Sequence, residues 1–321
     1  MLLITRSVEE AVALRGMTRI STHASSTSTW QAKQLTRRIG AEIIGGDLVC
    51  DVDPSWLMKQ LHEHLVLVIR DQHLSPAAQV ELARKLGSPT PAHPVVPGHP
   101  DHPEILELDG ANGGRNARWH TDVTFTTTPP AASILVADTV PEVGGDTLWA
   151  DMRTAYERLS PAVRMMIDGL EAVHRISPLA YWGEPFDTAL GREDAQRLLD
   201  QAVLVPPVIH PVVRIHPFTG QRSLCVNPGF TTHLVGLSRI ESDAILDMLH
   251  RHTTQPELTF RHRWRTGDVV IWDNQATMHY ATDDYGSESR RMRRVTLAGT
   301  IPVGPNGAHS RIAVDPLVAV R

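Results

Sequence analysis

Trp119-His120-Thr121-Asp122-Val123-Thr124-Phe125 is the stretch on which the reading of this chain turns. Its apolar and β-branched residues predict a strand, and on a strand residues two apart point to the same face. His120 and Asp122 would then bring an imidazole and a carboxylate to one small volume. Two histidines and a carboxylate can hold Fe(II) on one side and leave the opposite positions open. A second histidine must come from elsewhere.

Outward from this stretch, most of the chain reads as short strands separated by turns. Ala132 to Ala137 is apolar, and Thr147-Leu148-Trp149 follows the glycine turn Gly144-Gly145. His210 to Ile215 turns at Pro217-Phe218-Thr219-Gly220 and returns through Leu224-Cys225-Val226 as a hairpin. Leu258 to Arg265 turns at Thr266-Gly267-Asp268 and returns as Val269-Val270-Ile271-Trp272, and Arg294 to Ala298 closes the series. Upstream, Ala41 to Ile44, the wholly apolar Val66 to Ile69 and the alternating Glu104 to Leu108 are further strands. Helices start where a capping oxygen precedes proline, at Asp53-Pro54, Ser75-Pro76 and Ser160-Pro161, and at the capping box Ser238 to Glu241. Gly87 predicts a left-handed end to the second helix. Many short strands with helices before and between them imply a mainly β fold, a jelly-roll core with helical decoration. One domain is expected over residues 36–305, after an N-terminal extension (1–35) whose polar tract Ser21 to Thr29 cannot bury a core and before a C-terminal tail (306–321). Met17 is an alternative start.

The composition narrows the class. A formal charge of −5 supplies no basic excess for nucleic acid. The apolar run Met1 to Ile4 is too short for a signal peptide, and no stretch is long enough to span a bilayer. Two cysteines, Cys50 and Cys225, suit a reducing compartment, so a cytoplasmic protein without membrane partner is expected. A homo-oligomer is compatible with all of this.

For the missing ligand, His93, His174, His210, His216, His262 and His279 compete. His262 lies between Arg261 and Arg263, which would repel a cation, and reads as a solvated strand face. His210 and His216 belong to the hairpin and read as buried structural histidines. His279 ends a segment leaving the buried strand at Trp272, and Arg290 and Arg294 follow 11 and 15 residues later. Being four apart, these arginines share a strand face, whereas Arg291 and Arg293 alternate onto the other and read as surface charges.

This combination resembles the Fe(II)/2-oxoglutarate dioxygenases of the taurine dioxygenase family. The likeness includes the opening stretch, Gly144 to Trp149, His210 to Arg214, Val226 to Thr232 and Ile271 to Asn274, across roughly residues 37–304. It implies a double-stranded β-helix in which His120, Asp122 and His279 bind Fe(II), with 2-oxoglutarate and O₂ as cosubstrates. By the same resemblance Arg290, with Thr147, pairs with the distal carboxylate of 2-oxoglutarate, and Arg294 anchors a sulfonate or sulfate. His93, Val96, Asn116 and Phe230 align with substrate-contacting positions. The reaction implied hydroxylates the carbon bearing the sulfonate or sulfate ester, giving aldehyde plus sulfite or sulfate, with succinate and CO₂. Where taurine-specific members carry tyrosine, this chain has Val96; joined by Ile176, it makes the far end of the pocket more apolar and favours small anionic alkyl sulfonates or sulfate esters over taurine. The same iron core also serves oxidation of carboxylates or amino acids. Two readings from other classes are a zinc hydrolase, which has no use for Arg290 with Thr147, and a non-catalytic jelly-roll binding protein.

Overall fold

A computed structural model describes residues 30–110, 117–176 and 192–314, the side chains of 192–195 excepted. Asn116 and Met17 lie outside these residues. Among them the chain runs β1 (Gln31–Gln34), β2 (Ala41–Ile44), α1 (Pro54–His64), β3 (Val66–Ile69), α2 (Pro76–Leu86), β4 (Leu106–Asp109), β5 (Ala132–Thr139) and β6 (Thr147–Asp151). It continues through α3 (Met152–Arg158), α4 (Pro161–Ile167), β7 (Glu171–His174), α5 (Arg192–Leu204), β8 (Val208–Pro211), β9 (Val213–Ile215), β10 (Arg222–Leu224) and β11 (Thr231–Leu234). The last elements are α6 (Arg239–Thr253), β12 (Thr259–His262), β13 (Val269–Asp273), β14 (Thr277–Ala281), β15 (Arg291–Leu297) and β16 (Arg311–Ile312).

One sheet has the order β1-β2-β3-β13-β5-β15-β4; smaller sheets are β12-β6-β14 and β11-β7-β8-β16, with the hairpin β9-β10. Helices stand on one face of the large sheet, and the architecture is a double-stranded β-helix. Side-chain parity explains the layering. Leu67, Ile69, Ile134, Val136, Val269, Ile271, Val295 and Leu297 pack under α1 and α2 with Leu57, Leu61 and Val80. Their neighbours Val66, Val68, Leu135, Val270, Trp272 and Met292 face inward against Trp149, Phe260 and Trp264. Both faces are therefore apolar, which is why these strands read as continuous hydrophobic runs.

The caps form as expected: Asp53, Ser75 and Ser160 each accept a first-turn N–H, and Ser238 with Glu241 completes a capping box. Several expectations are corrected. Gly87 ends α2 in extended backbone, at φ 169°, not in the left-handed region. Strands extend into both expected terminal segments, since β1 pairs with β2 and β16 with β8. β12 and β13 form no hairpin; β12 joins β6, and β13 joins β3 and β5. His262 is buried, not solvated, and meets Asp268 at 3.2 Å. Arg293 is likewise no surface charge. It shares the parity of Val295 and so points under α2, where it grips both oxygens of Asp138 and the Leu74 carbonyl. Arg291 does remain exposed. No helix among the described residues is long and apolar enough to cross a membrane.

Candidate metal centre

The β13–β14 turn, Asn274 to Ala276, carries the chain from the large sheet to the small one and delivers His279 on β14. There His279 and His120 exchange both backbone hydrogen bonds, at 2.7 and 2.9 Å. This is an isolated bridge, not a strand. Trp119 to Phe125 departs from the strand expected: only His120 pairs, and Asp122 to Phe125 is a turn. Val123 sits at φ 54°, a conformation a β-branched residue adopts only under constraint. The turn brings Asp122 back to the imidazoles. Asp122 Oδ1 lies 3.7 Å from His120 Nε2 and 3.9 Å from His279 Nε2, and one donor atom from each residue falls within 4.8 Å of the others.

Constraints on these three side chains suit a cation. His120 Nδ1 lies 2.9 Å from the Arg118 carbonyl, which can only accept, so Nδ1 carries the proton and Nε2 keeps its lone pair. Burial pushes both imidazoles below their usual titration range, His279 well below, which keeps them neutral as coordination requires. Burial alone would raise the Asp122 carboxyl, but Arg294, the two histidines and Ser133 outweigh it and hold it at about 2. Ser133 Oγ donates to Asp122 Oδ2 at 2.8 Å, leaving Oδ1 toward the histidines.

A second trio, His62, His216 and Asp273, has comparable spacing. Here the proton positions are wrong for a metal. His216 Nδ1 accepts from the N–H groups of Phe218 and Thr219, so Nε2 is protonated and donates to Asp273 Oδ2 at 2.9 Å. His62 Nδ1 meets the same oxygen at 3.2 Å. The trio ties α1 and the β9–β10 turn to the end of β13, and His216 is the buried structural histidine expected.

Asn274 emerges as a residue the spacing argument did not single out. Its side chain accepts from Asp122 N–H at 2.9 Å and donates to the carbonyls of Asp122 and Pro130, each at 3.0 Å. Thr124 is a second anchor. Asn227 Nδ2 donates to its hydroxyl at 3.0 Å, His174 Nδ1 lies 3.1 Å from the same oxygen, and His210 Nε2 lies 2.7 Å from its carbonyl. Only the motif wording around Asn274 and Asn227 hinted at either; no local periodicity could.

Arg294, His93 and Phe230 adjoin this centre, and Arg290 and Thr147 lie at Gly145 and Trp264. Arg294 shares the inward parity of Met292, is buried, and its Nη1 pairs with Asp122 Oδ1. Its Nε and Nη2 are buried without a hydrogen-bond partner among the described residues. Arg290, also buried, donates from Nε to the Gly145 carbonyl at 3.0 Å, two residues before Thr147. The Thr147 hydroxyl accepts from Trp264 Nε1 at 3.0 Å, and no direct bond between Arg290 and Thr147 is formed. His93 Nδ1 accepts from Val95 and Val96 N–H, both at 3.1 Å, so its proton is on Nε2; burial, then Arg294, pushes its pKa down to about 3. Phe230 stands edge-on to His120 and to Phe125. Val96 and Ile176 pack into that same apolar group.

Two neutral imidazoles and an ionised carboxylate, with a guanidinium beside that carboxylate, fit a non-haem Fe(II) site. The model of the family described as "Taurine catabolism dioxygenase TauD, TfdA family" matches residues 31–296. The chain is 42% identical over 286 residues to an alkylsulfatase of Acinetobacter baylyi, covering 88% of this chain and 89% of that one. It is 42% identical over 284 residues to an alpha-ketoglutarate-dependent sulfate ester dioxygenase of Pseudomonas putida, covering 85% and 91%. A taurine dioxygenase crystal structure from Burkholderia xenovorans superposes with a TM-score of 0.75 at 37% identity, over 91% of this chain and 98% of that one.

Proposed function

The chain belongs to the TauD, TfdA family of dioxygenases, and from that we propose that it is an Fe(II)- and 2-oxoglutarate-dependent enzyme that releases sulfate from alkyl sulfate esters or sulfite from alkyl sulfonates. His120, Asp122 and His279 would hold the iron. Bound iron, with 2-oxoglutarate and O₂, would supply the oxidising chemistry, which yields succinate and CO₂ and hydroxylates the carbon bearing sulfur or sulfate oxygen. The product then falls apart to an aldehyde with sulfite or sulfate.

The observation that carries this reading is Arg294. A buried guanidinium with two nitrogens, Nε and Nη2, unpaired among the described residues, set beside the carboxylate of the trio, is a receptor for an anionic head group. An anion held there presents the adjacent carbon to the metal, so orientation is part of the catalysis. His93 adjoins the same receptor, its charge environment including Arg294 and Asp122. Arg290, desolvated at the far edge of β6, takes the distal carboxylate of 2-oxoglutarate together with Thr147. Val96 and Phe230 wall the substrate in apolar surface, and Asn116 is assigned to the substrate as well. The paired geometry of Arg294 also suits a carboxylate, which keeps oxidation of a carboxylic or amino acid as the second reading. Free Cys50 and Cys225 favour the cytoplasm.

The test is one panel, with anaerobically loaded enzyme exposed to O₂ and 2-oxoglutarate and matched alkyl sulfates, alkyl sulfonates, taurine and alkyl carboxylates. Succinate formed in step with sulfate or sulfite, fastest for the alkyl compounds, is expected. Faster turnover of taurine would refute the apolar pocket, and turnover confined to carboxylates would select the second reading.

A further inference from the structure

The short loop between β10 and β11 supplies no proposed metal ligand, yet it lies against both ends of the stretch His120 to Phe125. At one end the buried Gly229 faces His120: a methyl group placed there would stand 2.7 Å from His120 Cβ and 3.4 Å from the Trp119 carbonyl oxygen. Unstrained carbon contacts lie at about 3.5–4.0 Å, and a Cβ atom, unlike the tip of a long side chain, moves only with its backbone. At the other end Asn227 Nδ2 donates to the Thr124 hydroxyl at 3.0 Å, and the Phe230 ring stands edge-on to Phe125 with centroids 5.0 Å apart. The loop is stiff. Asn227 Oδ1 accepts from Phe230 N–H at 2.9 Å, Asn227 N–H donates to the Thr231 hydroxyl at 2.9 Å, and Thr231 N–H donates to the Asn227 carbonyl at 3.0 Å. Pro228 fixes a backbone angle within the loop. His120 is pinned from another direction by its paired backbone bonds to His279, so it cannot yield to the loop without disturbing the second histidine.

On the reading of His120, Asp122 and His279 as the metal ligands, we propose that Asn227 and Gly229 are positioning residues of that centre. Gly229, having no side chain, allows the loop to seat directly against His120. Asn227 ties the same loop to the turn that carries Asp122, by way of Thr124. One stiff loop thus braces the first two ligands together, and their spacing of 3.7 Å depends on it. Any side chain at Gly229 should push His120 out of place, and loss of the Asn227 bond should let the Asp122 turn drift.

The experiment is anaerobic titration of the metal-free, full-length protein with Co(II), followed by calorimetry and by the visible absorption of the bound ion, which changes when a ligand moves. The native protein is compared with Gly229→Ala, Asn227→Ala, Thr124→Val and the double variant Asn227→Ala with Thr124→Val, with melting temperatures of the metal-free forms to check folding. Gly229→Ala should weaken Co(II) binding about 10–100-fold, the usual cost of losing support for a metal ligand, and should alter the spectrum at saturation. A glycine needed only for the fold would lower the melting temperature and leave both readouts as they are. Asn227→Ala and Thr124→Val should each weaken binding about tenfold. Together they should weaken it by less than the product of the two losses, because they break one bond from its two ends. If Gly229→Ala does not fold, this cycle decides. Native affinity and spectrum in a folded Gly229→Ala protein, or losses at Asn227 and Thr124 that multiply, overturn the brace while leaving the metal trio standing. A native protein that binds no Co(II) overturns the trio and the brace with it.

Discussion

Replacing Asn274 by alanine removes the clamp on the Asp122 backbone while leaving all three proposed metal-ligand side chains in the sequence. Three buried hydrogen bonds are lost: one from the Asp122 N–H and one each to the carbonyls of Asp122 and Pro130. Each bond contributes about 1 kcal/mol net, and a buried backbone group left unpaired costs about 1–3 kcal/mol. Water entering the space vacated by the amide can rescue part of this, so the expected loss of stability is about 3–5 kcal/mol. The second consequence is specific to the site. Asp122 precedes a strained residue, Val123 at φ 54°, and the Asn274 bonds help hold that conformation. With the clamp gone, the carboxylate loses its fixed place opposite the two Nε2 atoms, and metal affinity should fall about 10–100-fold, as when outer-shell partners of metal ligands are removed. Urea unfolding of the metal-free protein, followed by tryptophan fluorescence, measures the first effect. Anaerobic Fe(II) titration measures the second, and the metal-induced rise in melting temperature gives an independent check through linkage. A variant less stable by under about 1 kcal/mol, with unchanged metal affinity, would show that Asn274 does not position Asp122.

Arg290→Lys keeps the charge but loses the fork, so the KM for 2-oxoglutarate should rise about 10–100-fold, the value of a charge-assisted bond; a rise below about threefold places the cosubstrate elsewhere. Arg294→Ala removes the anion receptor beside Asp122. Succinate formation should continue while sulfate release falls behind it, and a ratio still near one would count against Arg294 as the head-group site. Acid should weaken the fold before carboxylates titrate. Burial pushes His210 down to about 4, only partly offset by its hydrogen bond to Thr124, so its contribution is full above the unfolded value of about 6.5 and disappears as pH falls through about 4. That amounts to roughly 3 kcal/mol, and His93 and His250, also lowered by burial, act in the same direction. The urea midpoint should drop between about pH 6.5 and about pH 4, and less steeply in His210→Asn; parallel pH profiles would rule His210 out.

Much was legible locally. Capping oxygens before proline marked helix starts because those interactions lie within one turn. Apolar runs marked most strands of the large sheet, and the spacing of His120, Asp122, His279 and Arg294 picked out residues that meet. The manner of meeting was not legible. The His-x-Asp stretch has strand-like residues, yet only His120 finds a partner strand; beyond it the Asn274 clamp bends Asp122 into a turn. A sequence of alternating positions tells which side chains share a face but not what covers that face. Arg293 and His262 were read as solvated, and both are buried because α2 lies over one side of the large sheet and the small sheet over the other. Gly87 likewise reads as a left-handed stop, while its backbone is extended where it meets Leu297.

By itself, then, the sequence determined which residues could carry iron chemistry, because ligand types and their spacing along strands are local properties. Which trio is fit to bind a metal was decided by tertiary structure alone. His120 and His216 both face a buried aspartate, and what separates them is the partner of the other ring nitrogen, a carbonyl oxygen for one and backbone N–H groups for the other. That partner places the proton, and the proton decides whether Nε2 has a lone pair to give.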